Sequence, residues 1–419
     1  MSSQDDRARQ AMYRASFGVL AGYLPGEAAL RAWQQALKET CAEARGTAPR
    51  KRSVTALAEL IERDGIVRMY VDRMIQEVPA KHRTVDDIPE LLAQLDHILG
   101  IAPEWESDPD KQNFFPLSAL FTDMMITPAG YTAFRLPGFN DALRAILKEW
   151  CCFLDSENSA YVLNEGENGW LSEPARLYNK LDEFVIPDRH ARHWGWTSYN
   201  AFFHREIKAE CRPVTEPNDP QVVVSPNDGS VYRIDRGVEA KIRFWIKGEP
   251  YSLENMLAGS DYLDRFIGGD VFQSYLSGAD YHRWHAPVDG IVRHATVVDG
   301  LMFSNLEWAG DDIKGVKSQA LYTAANTRGL TFIEADRPAL GLVCVMPVGI
   351  TEISSITLTA RRGDRVKKGD QLGYFSYGGS SLALIFEPGA INHFTVDAPK
   401  NPEKQTIPIK VNAQIAAGN

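Results

Sequence analysis

Apolar positions recur along this chain with two different periods, and the change from one to the other divides it. Up to about residue 190 the spacing is helical. Asp87 is placed to cap a helix with Pro89 in its first turn; Ile88, Leu91, Leu92, Leu95, Ile98 and Leu99 then share one face, and Gly100 ends it. A second helix is expected from near Asn140, with Leu143, Ile146, Leu147, Trp150 and Leu154 as its stripe. Stripes of this kind face a core. From about residue 215 the texture changes to short β-rich runs punctuated by Gly, Pro, Asn and Asp, as at residues 221–224 and 291–298. The join at 211–220 holds Pro213, Pro217 and Pro220 beside Asn218 and Asp219. The pattern predicts an α+β chain: a helical N-terminal domain over 1–190, a connecting segment over 191–220, and a β-rich barrel or sandwich over 221–419.

Composition narrows the class. At 419 residues the chain suits two domains, and 44% hydrophobic with 24% charged residues is ordinary for a soluble globular protein. A net charge of −10 speaks against nucleic acid as a partner. The first residues lack the apolar stretch of a signal peptide. The longest markedly apolar run, residues 340–350, is interrupted by Pro347 and falls short of the roughly 20 residues of a membrane span. Cys41, Cys151, Cys152, Cys211 and Cys344 are odd in number and lack zinc-like spacing, so free thiols in a reducing cytoplasm are expected.

The candidate chemistry lies in the β-rich part. Gly378-Gly379-Ser380-Ser381 sits between two expected strands, 373–377 and 382–387. A serine following glycine in a taut bend can attack the carbonyl just before it; taken alone, the pattern reads as an ordinary hairpin turn. Two further segments change that reading. One is Asp280-Tyr281-His282-Arg283-Trp284-His285-Ala286-Pro287, and the other is Ser225-Pro226-Asn227-Asp228-Gly229-Ser230-Val231. They complete an acid, a base and a hydroxyl in the order Asp, His, Ser, a constellation defined by roles and not by spacing. His285 is then the base for Ser380, Asp228 orients and supports it, and the Gly379 carbonyl is the target.

Each residue also has a plainer reading. Asp228 in Asn-Asp-Gly is a turn residue, His282 a lone histidine, and Trp284 packing or a pocket wall. Glu352 could greet a substrate ammonium or be ion-paired within the fold. Asp280, His282 and His285 lack a further ligand set, so no metal is expected. Residues 363–373 resemble the turn-strand pattern of biotinyl and lipoyl carriers, but no Met-Lys-Met occurs, which leaves a flattened β architecture without a swinging arm.

With Phe202-Phe203-His204-Arg205-Glu206-Ile207, Arg212-Pro213-Val214, and Ile246-Lys247-Gly248 followed by Tyr251-Ser252-Leu253, these segments resemble the phosphatidylserine decarboxylase family over about residues 195–390. The resemblance implies a self-processing, pyruvoyl-dependent enzyme. Scission between Gly379 and Ser380 would yield a β chain of 379 residues and an α chain of 40 (419 − 379), with former Ser380 as the covalent pyruvoyl cofactor. The ketone would trap a substrate amine and take up electrons as carbon dioxide leaves, with His282 as candidate acid for the final protonation. The implied partners are a small amino acid and the chain's own two fragments; a homo-oligomer stays open.

The helical region is similar to that of pyruvoyl-type L-tryptophan decarboxylases, at residues 127–134, at Gly169-Trp170-Leu171 with Glu173 and Ala175, and further on at 279–290, 332–336 and 349–354. That likeness implies a free aromatic L-amino acid, tryptophan-like, going to its amine. Phosphatidylserine is the alternative substrate. A serine hydrolase using the same triad in trans, though without Gly-x-Ser-x-Gly, and a non-catalytic β-barrel module are the readings of another class.

Overall fold

The computed structural model describes residues 24–44, 51–108, 111–241, 252–276, 280–303, 319–352, 355–377, 379–400, 405 and 407–419. Ile246-Lys247-Gly248, Tyr251 and Gly378 therefore lie outside the described residues. The chain forms two compact units. One takes the described residues up to 181 with 186–202 and those from 301 to 303; the other takes 182–185, the described residues of 203–300, and those from 319 onward.

The first unit is helical. Its main helices are α1 (Glu27–Cys41), α2 (Arg52–Arg63), α3 (Gly65–Glu77), α4 (Ile88–Ile98), α5 (Pro116–Met125), α6 (Pro128–Ala133), α7 (Pro137–Leu154) and α8 (Glu173–Tyr178). The expected cap of α4 is present: the Asp87 side chain accepts from Glu90 N at 3.0 Å, and Glu90 in return accepts from Asp86 N at 2.6 Å. Leu91, Leu95, Ile98 and Leu99 are buried, whereas Ile88 and Leu92 remain half-buried. Helix α7 starts three residues before Asn140, because Pro137 fits a first turn whose N–H needs no partner. Its stripe is buried as expected, and Phe139 extends it. Asp123 on α5 is held by Arg31 and Gln34 of α1, at 2.9 Å from Arg31 Nη2 and 3.2 Å from Gln34 Nε2.

The second unit is β-rich, in accord with the α+β expectation. Its strands are β1 (Val222–Val224), β2 (Gly229–Asp235), β3 (Asp270–Leu276), β4 (Arg283–His285), β5 (Gly290–Val298), β6 (Arg328–Ala335), β7 (Leu342–Ile350), β8 (Ile356–Leu358), β9 (Arg365–Val366), β10 (Gln371–Phe375), β11 (Gly379–Phe386), β12 (Ile391–Phe394), β13 (Pro408–Ile409) and β14 (Gln414–Gly418). An eight-stranded antiparallel sheet runs β13-β2-β3-β11-β7-β6-β5-β9 and curls into a half-barrel, with three-stranded sheets β4-β10-β8 and β1-β14-β12 beside it. Strands β7 and β11 are central, with Val343 to Met346 and Leu382 to Phe386 fully buried.

One local expectation changes. The serine pair does not sit in a bend between strands. Strand β11 begins at Gly379, with Ser380 opposite Leu276 of β3 on one side and Gly349 of β7 on the other. A backbone ladder is indifferent to the polarity of the side chains it carries, so the strand extends past the apolar run that announces it.

Candidate active site

All the residues in question lie in the second unit. The turn between β1 and β2 carries Asp228. Ser225 Oγ donates to Asn227 O at 2.8 Å, Asn227 Nδ2 donates to Asp228 O at 2.7 Å, and Ser274 Oγ on β3 donates to Asn227 Oδ1 at 3.0 Å. A side chain at Gly229 would place its Cβ 2.4 Å from Tyr275 O, so only glycine lets the turn lie this close to β3. The turn touches the histidine strand directly, because His285 N donates to Pro226 O at 2.8 Å.

Asp228 itself is gripped by a guanidinium. Arg212 Nε lies 3.0 Å from Oδ1 and Nη2 lies 2.7 Å from Oδ2, while Arg212 Nη1 reaches Glu183 at 2.7 Å. Val411 N adds a backbone hydrogen bond to Asp228 Oδ1 at 2.8 Å. Burial works against the arginine's charge, but the hydrogen bonds and charges of Asp228 and Glu183 outweigh it and raise its pKa above the ordinary value.

His285 has both ring nitrogens engaged. Nδ1 lies 2.7 Å from Gly369 O, and Nε2 lies 2.8 Å from the Tyr281 hydroxyl. Neither nitrogen bonds Asp228, whose charge nonetheless acts on the ring. Burial comes first among the influences and lowers the His285 pKa, so the neutral imidazole is favoured. A carbonyl can only accept, so Nδ1 carries the proton and Nε2 is the lone-pair nitrogen facing Tyr281.

His282 is fully buried, its ring stacked on Phe203 with centroids 4.0 Å apart. Its carbonyl accepts from Phe375 N at 2.9 Å, which ties the histidine segment to β10. Trp284 is also fully buried, 4.7 Å from the Phe375 ring, and a Cβ at Gly373 would come within 2.3 Å of it. Glu352 is buried immediately beyond β7. The segment starting at Phe203 runs alongside this stretch: Arg283 Nε donates to His204 O at 2.6 Å, and Ile207 packs with Phe184 against Tyr281.

The two serines differ sharply. Ser381 Oγ donates to Ser274 O at 2.8 Å and accepts from Gln273 Nε2 at 2.7 Å. Ser380 is fully buried, and its Oγ has no hydrogen-bond partner among the described residues. An unpaired buried hydroxyl is costly and calls for an explanation, of which a role in chemistry is one. The neighbouring Gly349 carbonyl is occupied by Asn326 Nδ2 at 2.8 Å.

Three participants were not singled out in the sequence. Tyr281 and Gly369 bind His285, and neither carries a local signal for that role; Tyr281 looks like one more apolar position in its motif. Arg212 had a signal. A carboxylate in a β-rich core asks for a cation, and Arg-Pro stands 16 positions earlier. Among the described residues no cluster of three or more His, Cys, Asp or Glu could hold a metal ion, and no helix is long and apolar enough to cross a membrane.

Comparison with known sequences places the chain in a family. The family profile described as Phosphatidylserine decarboxylase matches residues 199–416, and a second decarboxylase profile of the same kind matches 51–178. Decarboxylase iboD of Amanita muscaria is 38% identical over 302 residues, covering 67% of this chain and 86% of that protein. The L-tryptophan decarboxylase of Psilocybe cyanescens is 32% identical, covering 64% of this chain and 67% of its own. The phosphatidylserine decarboxylase proenzyme of Chlamydia felis is 32% identical, covering 56% and 76%. With one profile spanning more than half of the sequence and a relative matched over most of its length, the chain belongs to the phosphatidylserine decarboxylase family and is a carboxy-lyase.

Proposed function

We propose that this protein cuts itself between Gly379 and Ser380, carries its pyruvoyl group on former Ser380, and decarboxylates a free aromatic L-amino acid of the tryptophan type. Proteins of this family are pyruvoyl-dependent proenzymes. The observation that carries the assignment to Ser380 is its buried, unpartnered Oγ beside a fully bonded Ser381.

In self-cleavage, Ser380 Oγ gives its proton to His285 as it bonds to the Gly379 carbonyl carbon. That proton passes to the Ser380 nitrogen as the amide C–N bond breaks, leaving an ester. Loss of the Ser380 Cα proton expels the Gly379 carboxylate and leaves dehydroalanine, which water converts to the ketone with release of ammonia. Asp228, fixed by Arg212, supports the protonated His285 through its charge. The glycine before the serine permits the backbone dihedrals that a strained scissile bond needs. Once formed, the ketone supplies the electron sink for decarboxylation. His282 then gives a proton to the substrate α-carbon, and Trp284 and Glu352 belong to the surroundings of the substrate.

The substrate class rests on the relatives. Those named as L-tryptophan decarboxylases match 64% of this chain, whereas the phosphatidylserine decarboxylase proenzymes match 47–56%. Intact mass of the purified protein tests the processing: fragments of 379 and 40 residues are expected, the smaller without a free α-amino group. Carbon dioxide release from tryptophan, tyrosine, phenylalanine and phosphatidylserine tests the substrate. Turnover of the lipid with none of the free amino acids would overturn the aromatic reading.

A further inference from the structure

His285 is held from two sides, and the second holder is a tyrosine that the reaction sequence above does not use. Tyr281 is 3% exposed, and its ring packs with Phe184, Ile207 and Val411. Its hydroxyl stands 2.8 Å from His285 Nε2, with the two rings 26° apart. Because Gly369 O claims the Nδ1 proton, this hydroxyl has one role available toward the neutral ring: it donates to the lone pair of Nε2. The backbone N–H of Ile207 hydrogen-bonds the same oxygen, which fixes where the phenol points. The Gly369 carbonyl is positioned just as firmly. Gly369 has φ +86°, and a Cβ there would lie 2.8 Å from Val214 Cγ2. Gly369 N donates to Ala286 O at 2.9 Å, so the turn is anchored to the residue next to the histidine.

We infer that Tyr281 is the positioning residue for the self-cleavage base: together with Gly369 O it holds His285 of the uncut chain as the Nδ1–H tautomer with Nε2 unprotonated, and its hydroxyl gives up the Nε2 lone pair as the Ser380 proton arrives. The inference rests on His285 being that base. The charged groups that face the ring are Arg283 on its own strand, Asp228 from the β1–β2 turn and Asp370 from the turn before β10; Glu206 also acts on the tyrosine. None of these directly bonds Nε2, which leaves the tyrosine hydroxyl as its hydrogen-bond donor.

The phenol can donate to the neutral ring and accept from a protonated one, so the state of Nε2 is read directly from its resonance. Tyr281→Phe deletes one oxygen and keeps the ring in its cluster. In the uncut Ser380→Ala background it is expected to shift the His285 Nε2 resonance to that of an imine nitrogen without a donor, while Nδ1 stays protonated on Gly369 O. An Nε2 resonance that does not move in that variant would overturn the inference. Nitrogen NMR of the uncut Ser380→Ala protein gives a readout that needs no Tyr281 variant: His285 should show a protonated Nδ1 and a hydrogen-bonded, unprotonated Nε2. A protonated Nε2 would equally overturn it. Failure of the underlying reading looks different, since His285→Ala would then still cut itself.

Discussion

Ser380 and Ser381 are consecutive on β11, yet among the described residues the second side chain is bonded to two partners while the first is buried with none. Their side chains face opposite sides of the sheet, as neighbours on a strand must. Ser381 is structural on this geometry. Ser381→Ala removes both bonds, one of them from the fully buried Gln273, and should cost about 1–3 kcal/mol. Compared on a Ser380→Ala background, where the chain stays whole, the urea midpoint should fall by that amount. In the otherwise unaltered protein, Ser381→Ala should still self-cleave, whereas Ser380→Ala should not. Cleavage lost in the Ser381 variant and kept in the Ser380 variant would reverse the assignment.

Arg212 offers a second test. Its side chain is 6% exposed and that of Asp228 is 14%, so the pair is largely out of water. Removing one partner strands the other, a loss of about 3–5 kcal/mol for a buried pair. Arg212→Met should therefore destabilise strongly. Arg212→Lys keeps the charge but cannot fork across both carboxylate oxygens, so a smaller loss is expected. If the two variants have equal denaturation midpoints, the fork is not what holds the turn.

These residues also show where the sequence is readable. The cap at Asp87, its return bond from Glu90 and the stripe of α7 are local patterns, with every determinant within a few residues. Asp228, His285 and Ser380 stand out as candidates because the proposed chemistry requires those side chains. Their partners could not. Tyr281 meets His285, and Gly369 meets the same ring from a turn 84 residues later, through tertiary contacts that no period records. The start of β11 at Gly379 was illegible for a different reason: the strand is defined by its neighbours β3 and β7, not by its own polar first residues.

The two histidines should separate by stage. On the proposed roles, His285→Ala removes the base and should leave an uncut chain. His282 stacks on Phe203 and sits three residues away, with its backbone tied to β10. His282→Ala should yield both fragments but no amine, once a melting curve has shown that loss of the buried ring is tolerated. A His282 variant that is folded yet uncut would refute the division of roles.

The final prediction concerns pH. Burial lowers the pKa of His285 in the second unit and, with the nearby Arg31 charge, that of His82 in the first, in both cases from an ordinary value of 6.5. Both rings therefore stay neutral in the fold at pH values where the unfolded chain takes up protons. Stability from these groups is complete above about pH 6.5 and declines as pH falls from there towards the lowered native values. The slope is at most about 1.4 kcal/mol per pH unit for each ring. In the uncut Ser380→Ala protein, urea midpoints should be flat from pH 8 to about 7 and decline below about 6.5. Adding His285→Gln should make that decline shallower by one proton's worth. An unchanged slope in the double variant would mean that the imidazole is not held neutral, and a base already protonated in the precursor could not accept the Ser380 proton.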